Sequence, residues 1–261
     1  MKTIVINGFN SFIGNHFYKR YKKKYKIIKF NEDINKIDKF KIFTKKNNFD
    51  HFIHFAALSR LKCEQNKIKC KKTNFTSLKK IIDHLNKLTI KPNFIFISSS
   101  HVYDKSKKRI KENYKKKPDN LYGKLKLNCE NYIKKKYKKH SILRLFNVYG
   151  KNQPLGFFIP DIKKKIKKNK LIGLAKSERD FIHVNDVVKI IEFFIVNKFY
   201  GEFNVGSGNG IYLSSIVKMI SSKIKIKVTN ISDKLVADIT KLRKVGYKLK
   251  INKLKKINLD T

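Results

Sequence analysis

The sequence predicts an α/β protein built on a doubly wound parallel sheet, followed by a smaller lobe. Three observations carry this. Short continuous apolar runs alternate with helical apolar spacing up to about residue 150, the pattern of strands buried on both faces by crossover helices. A glycine turn, GFNSFIG (8–14), stands directly between the first apolar run and the first helical stretch. After Gly150 the texture changes to a Pro/Gly-containing loop, a basic helix near 157–168 and then short elements.

Taken in order, KTIVIN (2–7) is a strand, and a helix follows the turn to about Tyr21. KIIKF (26–30) is the second strand and HFIHF (51–55) the third, with a trimmed connection between them. A helix is expected over 73–88, where Phe75, Leu78, Ile81, Ile82 and Leu85 recur at helical spacing. NFIFIS (93–98) is the fourth strand, 120–138 a helix and SILRLF (141–146) the fifth strand. The first domain is therefore placed at 1–150, rejoined by about 181–206, and the small lobe at 151–180 and 207–261.

Composition narrows the partners. The chain has 261 residues, 41% hydrophobic, enough for a sizeable core. Its longest apolar runs, such as FFIV (193–196), are too short to cross a bilayer, and no membrane insertion is expected. The N-terminal apolar run moves straight into the glycine turn without the longer apolar region of a signal peptide, and a cytoplasmic protein is expected. Cys63, Cys70 and Cys129 show no metal-ligand spacing and read as reduced thiols; no metal is expected.

The formal net charge of +44 raises nucleic-acid binding. Yet the basic residues are almost all Lys, whereas base readout and phosphate forks favour Arg. The charge is also spread along the whole chain, so it reads as a solvated lysine surface, with no nucleic-acid partner. Such a field would steer a polyanionic small substrate.

The glycine turn carries the first chemistry. Gly8 suits the tight turn, Ser11 stands where a second glycine would let the backbone approach a pyrophosphate, and Gly14 suits close helix–strand packing. The helix N-terminus would then face the phosphates, and the Ser11 hydroxyl could bond a phosphate oxygen. The adenine-ribose position falls in KFNEDI. Asn31 occupies the place of the usual acid, with Glu32 and Asp33 next and Lys29 close, so NAD and NADP both stay open.

DNLYGKLK (119–126) places Tyr122 four residues before Lys126, on one helical face. In so lysine-rich a chain the same spacing also starts at Tyr18, Tyr25, Tyr103 and Tyr132, so spacing alone selects nothing. Tyr122 differs in opening a helix about two dozen residues after the Ser-rich strand end SSSHVYD (98–104) and before LRLFNVYG (143–150).

With those segments the chain resembles the extended short-chain dehydrogenase/reductases, the NAD-dependent epimerase/dehydratase family of nucleotide-sugar enzymes. GFNSFIG, HFAA (54–57), Asn74 in KTNFTSLKKII, SSSHVYD, LYGKLKLNCE, LRLFNVYG, ERDFIHVNDVV (178–188), EFNVGSG (202–208) and ADITKLRKVGY (237–247) resemble its signatures in the right order. The resemblance implies a Rossmann-type NAD(P)-binding domain and a small C-terminal substrate-binding lobe. It implies catalysis by Ser99, Tyr122 and Lys126, with Ser98 or Ser100 as the one-register alternatives to Ser99. Tyr122 would exchange the proton of a sugar hydroxyl or ketone while hydride moves to or from nicotinamide, and positive charge from Lys126 would favour its phenolate. Cofactor contacts are expected from Gly8, Asn10, Ser11, Phe12, Ile13 and Gly14. Asn31, Asp33 and Ile34, then Phe55, Ala56 and Ala57, and finally Asn74, Tyr122 and Lys126 complete that set.

Ser100, His101, Asn147 and Arg179 are expected to bind substrate, Arg179 gripping the diphosphate of a nucleotide-diphosphate sugar. An ion pair of Arg179 with Asp180 or Asp186 is the structural alternative. The family's 4,6-dehydratases carry Asp-Glu where this chain has Ser100 and His101, which disfavours dehydration. His101 reads as lining the sugar pocket; a histidine there could also act as acid or base. The expectation is thus an NAD(P)-dependent nucleotide-sugar oxidoreductase at the sugar C4, epimerase or 4-ketoreductase, in polysaccharide synthesis. Family resemblance adds a homodimer through the helices near 73–88 and 120–138. The rivals are an inactive dinucleotide-binding regulator and, further off, a dehydratase or an RNA-binding protein.

Overall fold

The computed structural model describes residues 1–168 and 171–248. The stretch 249–261, assigned to the lobe from sequence, lies outside the described residues. In chain order the first part holds β1 (Thr3–Asn7), α1 (Phe12–Tyr21), β2 (Lys26–Phe30), α2 (Ile37–Lys46), β3 (His51–His54), α3 (Arg60–Gln65), α4 (Lys67–Lys71), a π turn (Lys72–Thr76) and α5 (Ser77–Leu85). Then come β4 (Asn93–Ser99), a 3₁₀ turn (Ser100–Val102), α6 (Leu121–Lys136), β5 (His140–Leu145), β6 (Asn147–Tyr149), α7 (Phe158–Lys167) and β7 (Ile172–His183). The rest is α8 (Val184–Asn197), β8 (Gly201–Val205), β9 (Gly210–Tyr212), α9 (Leu213–Ile220), β10 (Ile226–Leu235) and α10 (Thr240–Lys244).

The main sheet has the order β2-β1-β3-β4-β5-β8, and β1 pairs in parallel with both β2 and β3, as β3 does with β4. The strand order reverses beside β1, which places the C-terminal ends of β1 and β3 at the switch point where α/β sheets bind ligands. Helices α2, α5 and α6 cover one face through Phe40, Leu78, Ile81, Ile82, Leu85, Cys129 and Ile133, packed on Val5, Phe52, Phe94 and Ile142. Successive residues Ile4, Val5 and Ile6 of β1 are all 0% exposed, so neither face of this strand meets water, which explains its continuous apolar run.

The chain divides into two compact units. The first comprises Met1–Asp104, Tyr114–Arg144 and Val188–Phe203, the second Lys105–Asn113, Leu145–Val187 and Asn204–Thr261. The sequence did not place 105–113 in the second unit. Bridges from Ser106 to Lys234 and from Ile110 to Ala237 tie it there. The second unit has its own sheet, with β10 and β6 parallel to β7 and β9 antiparallel to it. Helices α7 and α9 pack on it through Ile159, Ile162, Ile216 and Val217. Asp180 is fully buried beneath this unit's loops, where its carboxylate accepts hydrogen bonds from the Ser207 N–H (2.7 Å) and hydroxyl (2.6 Å), the Gly208 N–H (2.9 Å) and the Ala237 N–H (3.1 Å).

Some expectations need correction. The trimmed connection between β2 and β3 holds a helix that the sequence reading did not place, α2, whose Phe40 and Thr44 are buried. The helix expected over 73–88 is regular only over Ser77–Leu85, after the π turn. Cys63 and Cys70 are not separate thiols. They are buried on α3 and α4 and joined as a disulfide, their Cα atoms 4.9 Å apart, because these two short helices fold back on each other at Asn66. Cys129 is a free thiol. Among the described residues, no helix is long and apolar enough to cross a membrane.

Strand β3 begins and ends on a buried histidine. Among the described residues neither ring nitrogen of His51 has a hydrogen-bond partner, and burial pulls its pKa down to about 4. Burial likewise pulls His54 to about 3. Unfolded histidine titrates near 6.5, so below that pH the unfolded chain binds protons that the folded chain refuses. Stability should therefore be complete above about pH 6.5 and fall as pH drops towards 4, by about 1.4 kcal/mol per pH unit per histidine. Urea unfolding at pH 7.5, 6.0 and 5.0 measures this, and His51→Phe should remove about half of the slope. A midpoint constant over that range would contradict it.

Candidate active site

The glycine turn is built for close approach. Gly8 has φ +64°, and a Cβ there would stand 2.5 Å from the Ala56 nitrogen. A Cβ on Gly14 would meet the Gly8 carbonyl oxygen at 2.4 Å. Ser11 caps α1: its N–H donates to the Gly8 carbonyl (2.9 Å) and its hydroxyl oxygen accepts from the Gly14 N–H (3.2 Å). The hydroxyl proton stays available to an anion at this helix start. Asn10 is exposed, and Phe12 and Ile13 are half-buried at the opening of α1.

The loop after β3 is held against this turn. Asn7 at the end of β1 accepts from the Ala56 N–H (3.1 Å), which turns its amide NH₂ to Nδ1 of His54 (2.9 Å). Nδ1 is then the acceptor and the neutral ring carries its proton on Nε2. Asn74, in the π turn, accepts from the Leu58 N–H (2.7 Å) and donates to the Leu58 carbonyl (2.9 Å). Its amide shapes the loop that carries Phe55, Ala56 and Ala57. Asn31 is exposed just past β2, whereas Ile34 lies in the core with Phe30 and Phe40. Asp33 accepts from the Asn35 N–H (2.9 Å) and amide (2.8 Å).

The serine register is decided by where the strand end turns. Ser98 donates to Glu130 Oε1 (2.5 Å), away from Tyr122. Ser99 is hydrogen-bonded to the Tyr122 hydroxyl and also accepts from the His101 N–H (3.3 Å). Ser100 opens the 3₁₀ turn and is buried. The His101 ring stands edge-on to that of Tyr122, centroids 5.8 Å apart, and its Nδ1 lies 3.3 Å from the Asn120 amide nitrogen. Asn120 in turn caps α6 through the Gly123 N–H (2.9 Å).

Burial pushes the Tyr122 phenol up to about 12, against the Ser99 hydrogen bond, so at neutral pH it keeps its proton. The expected pull of Lys126 towards phenolate is outweighed by burial in the protein alone. Lys126 is buried under Tyr122, its ammonium donating to the Ile97 carbonyl (2.6 Å) and lying 5.7 Å from the Tyr122 ring centroid. Burial lowers its pKa to about 8, opposed by Cys129 and Glu130.

Sequence reading missed what stands behind this pair. Glu130, one further turn along the same face of α6, meets Arg144 of β5. Arg144 donates Nη2–H to Oε2 (2.7 Å) and Nε–H to Oε1 (3.0 Å), and Nη1–H to the Tyr103 hydroxyl (2.8 Å). Both Glu130 and Arg144 are 0% exposed. The signal was available, since a carboxylate at i+8 from Tyr122 falls on the buried face and must find a cation.

In the second unit Asn147 donates to the Asp180 carbonyl (3.0 Å). Arg179 makes a two-pronged contact with Asp233, Nη1 to Oδ1 at 3.0 Å and Nη2 to Oδ2 at 2.8 Å. Burial works against the Asp233 charge, but hydrogen bonds from Arg179 and Ser177 hold its carboxyl below the ordinary value. The partner is thus neither Asp180 nor Asp186, because β10 pairs alongside β7 and brings Asp233 opposite Ser177.

The family model described as "NAD dependent epimerase/dehydratase family" matches residues 4–206. The chain belongs to this family. A curated relative, the ADP-L-glycero-D-manno-heptose-6-epimerase of Brachyspira hyodysenteriae, is 28% identical over 83% of this chain and 75% of its own length. Among solved structures, the UDP-N-acetylglucosamine 4-epimerase of Methanobrevibacter ruminantium M1 superposes with a TM-score of 0.82 at 23% identity, covering 95% of this chain and 92% of its own. The dTDP-4-dehydrorhamnose reductase of Bacillus anthracis, solved with NADP, gives 0.83 at 20% identity over 95% and 92%. At those identities the two structures speak for the fold. Family membership brings NAD or NADP as the cofactor class, and the turn fits it: a cradle at Gly8 that a side chain would fill, next to a capped helix start.

Proposed function

We propose that this family member is an NAD(P)-dependent nucleotide-sugar oxidoreductase acting at the sugar C4, either as epimerase or as 4-ketoreductase. The observation that carries the reading is the Ser99–Tyr122 hydrogen bond with Lys126 one helical turn on. Ser99 and Tyr122 share one proton-exchanging edge. In reduction Tyr122 gives its proton to the ketone oxygen and Ser99 donates a hydrogen bond to the same oxygen; in oxidation the phenolate form of Tyr122, which the positive charge of Lys126 and of an oxidised nicotinamide would favour, takes the hydroxyl proton. NAD(P), when bound, supplies or takes the hydride. Lys126 holds the ribose side of that cofactor and supplies positive charge beneath the phenol. Asn10, Ser11, Phe12, Ile13, Asn31, Asp33 and the 55–57 loop line the dinucleotide, while Asn74 keeps that loop in place. Ser100, His101, Asn147 and Arg179 take the nucleotide-diphosphate sugar, the guanidinium being oriented by Asp233. The curated relative supports an epimerase by its name, although its own epimerisation is at C6; the C4 position and the reductase alternative rest on the family resemblance of the site residues.

Denaturing the freshly purified protein and assaying what it releases tests the reading. Near-stoichiometric NAD is expected of an epimerase, whose hydride returns to the sugar, and should accompany turnover of UDP-glucose or UDP-N-acetylglucosamine. A site that exchanges NADPH freely and reduces a dTDP-4-keto sugar is the ketoreductase outcome. Binding of neither cofactor, or turnover of no sugar in either set, removes the proposal. We also assign a cytoplasmic homodimer formed through α5 and α6. Lys134 is paired with Glu202 (2.9 Å), and Lys135 and Lys136 are exposed. Light scattering should give twice the chain mass of 30.8 kDa, and a monomer would refute the assembly.

A further inference from the structure

We propose that Lys29 makes this chain prefer NADPH to NADH by receiving the 2′-phosphate of the adenosine ribose. The inference rests on the reading that the glycine turn takes a dinucleotide, and its test separates the two.

Alternate residues of a strand share a face, so Lys29, on β2, and Asn31, just past its end, project to the same side, while Phe30 between them enters the core. The Lys29 ammonium lies 4.9 Å from the ring centroid of Phe9 and 4.7 Å from that of Tyr18. Phe9 is the residue after Gly8 in the glycine turn, and Tyr18 sits on α1. Two ring faces therefore draw a long flexible side chain from two residues below Asn31 up to the turn and hold its charge there. The described partners of Lys29 are these rings and not a carboxylate, so its charge is not neutralised by an ion pair with them.

The recognition of an unphosphorylated ribose needs the opposite. An acid past the second strand takes both ribose hydroxyls and repels a 2′-phosphate. Asn31 occupies that place, neutral and exposed. Asp33 is engaged by the Asn35 N–H and amide in a turn of its own, at 2.9 and 2.8 Å. Glu32 is the remaining nearby acid, and it stands exposed at a bend beyond the end of β2. Beside the neutral Asn31 thus stands the Lys29 ammonium, and a phosphate dianion bonded to that ammonium is a charge-assisted contact.

Calorimetric titration of NADPH and NADH into the full chain at fixed ionic strength tests this. NADPH should bind about tenfold tighter, the size of one hydrogen bond to a charged group. Lys29→Gln should lose that factor for NADPH and leave NADH within about twofold, with its melting temperature recorded alongside. Asn31→Asp, which leaves Lys29 in place, should weaken NADPH and spare NADH. Lys46→Gln, an exposed lysine of α2, should change neither and so controls for the general positive field. Equal affinities, or tighter NADH, would overturn the inference while leaving the dinucleotide reading intact. A preference that survives both Lys29→Gln and Asn31→Asp, or that Lys46→Gln also abolishes, overturns the assignment to Lys29. Absence of binding by either dinucleotide overturns the inference and the reading beneath it together.

Discussion

Tyr122→Phe is expected to lower turnover by about 10²–10⁴-fold while leaving the fold and cofactor affinity in place. The substitution removes one oxygen. The ring stays packed beside His101 and above Lys126, and Asn120 still caps α6, so nothing in the helix loses its support. What disappears is the proton exchanged with the sugar oxygen and the Ser99 hydrogen bond. Because burial holds the phenol near 12, the wild-type residue is a proton donor throughout the physiological range, and the loss should be full in the reductive direction at neutral pH. Turnover, melting temperature and cofactor affinity measured on the same preparation check this. Activity within threefold of wild type would remove Tyr122 from the chemistry and overturn the mechanism proposed here.

The largest stability effect is expected at Glu130. Glu130→Ala leaves Arg144 charged and 0% exposed, its main partner gone, and should cost about 3–5 kcal/mol. Burial opposes the Arg144 charge, while the hydrogen bonds and charge of Glu130 and the Tyr103 hydroxyl raise its pKa, so the cation persists. The double replacement Glu130→Met with Arg144→Leu should recover most of the loss, since exchanging a whole buried pair for apolar volume is often neutral. The recovered protein should nevertheless turn over slowly. Ser98 loses its acceptor on α6, and the neighbouring Ser99 loses the tie that sets it against Tyr122. Urea unfolding of the two singles and the double closes the cycle. A single mutant as stable as wild type would show that the pair carries little of the energy.

Much of the frame was legible from local pattern. Apolar runs at 51–55 and 93–98 identified buried strands because strands covered on both faces have no polar side to display. Helix α2 was overlooked although Ile37, Phe40 and Phe43 repeat at helical spacing, because lysines between them masked the stripe. Helices α3 and α4 were too short for periodicity to speak, and a seven-residue gap between cysteines does not reveal that two helices fold back and bring them together.

The sequence by itself determined what one turn or one helix can specify. Gly8 and Gly14 mark the close approaches of the turn, Ser11 the helix cap, and Tyr122 and Lys126 a shared helical face, all within a few residues of chain. Among the five Tyr-x-x-x-Lys copies, their order between serine segment and fifth strand singled out Tyr122. Only the tertiary structure decided which of three consecutive serines meets that tyrosine, since rotating the strand end by one residue exchanges Ser98, facing Glu130, for Ser99. Tertiary structure likewise paired Glu130 with Arg144 and Arg179 with Asp233, the latter across 54 residues. Charges find partners in space through strand register and helix packing, and that register is a property of the whole sheet that no short stretch of sequence contains.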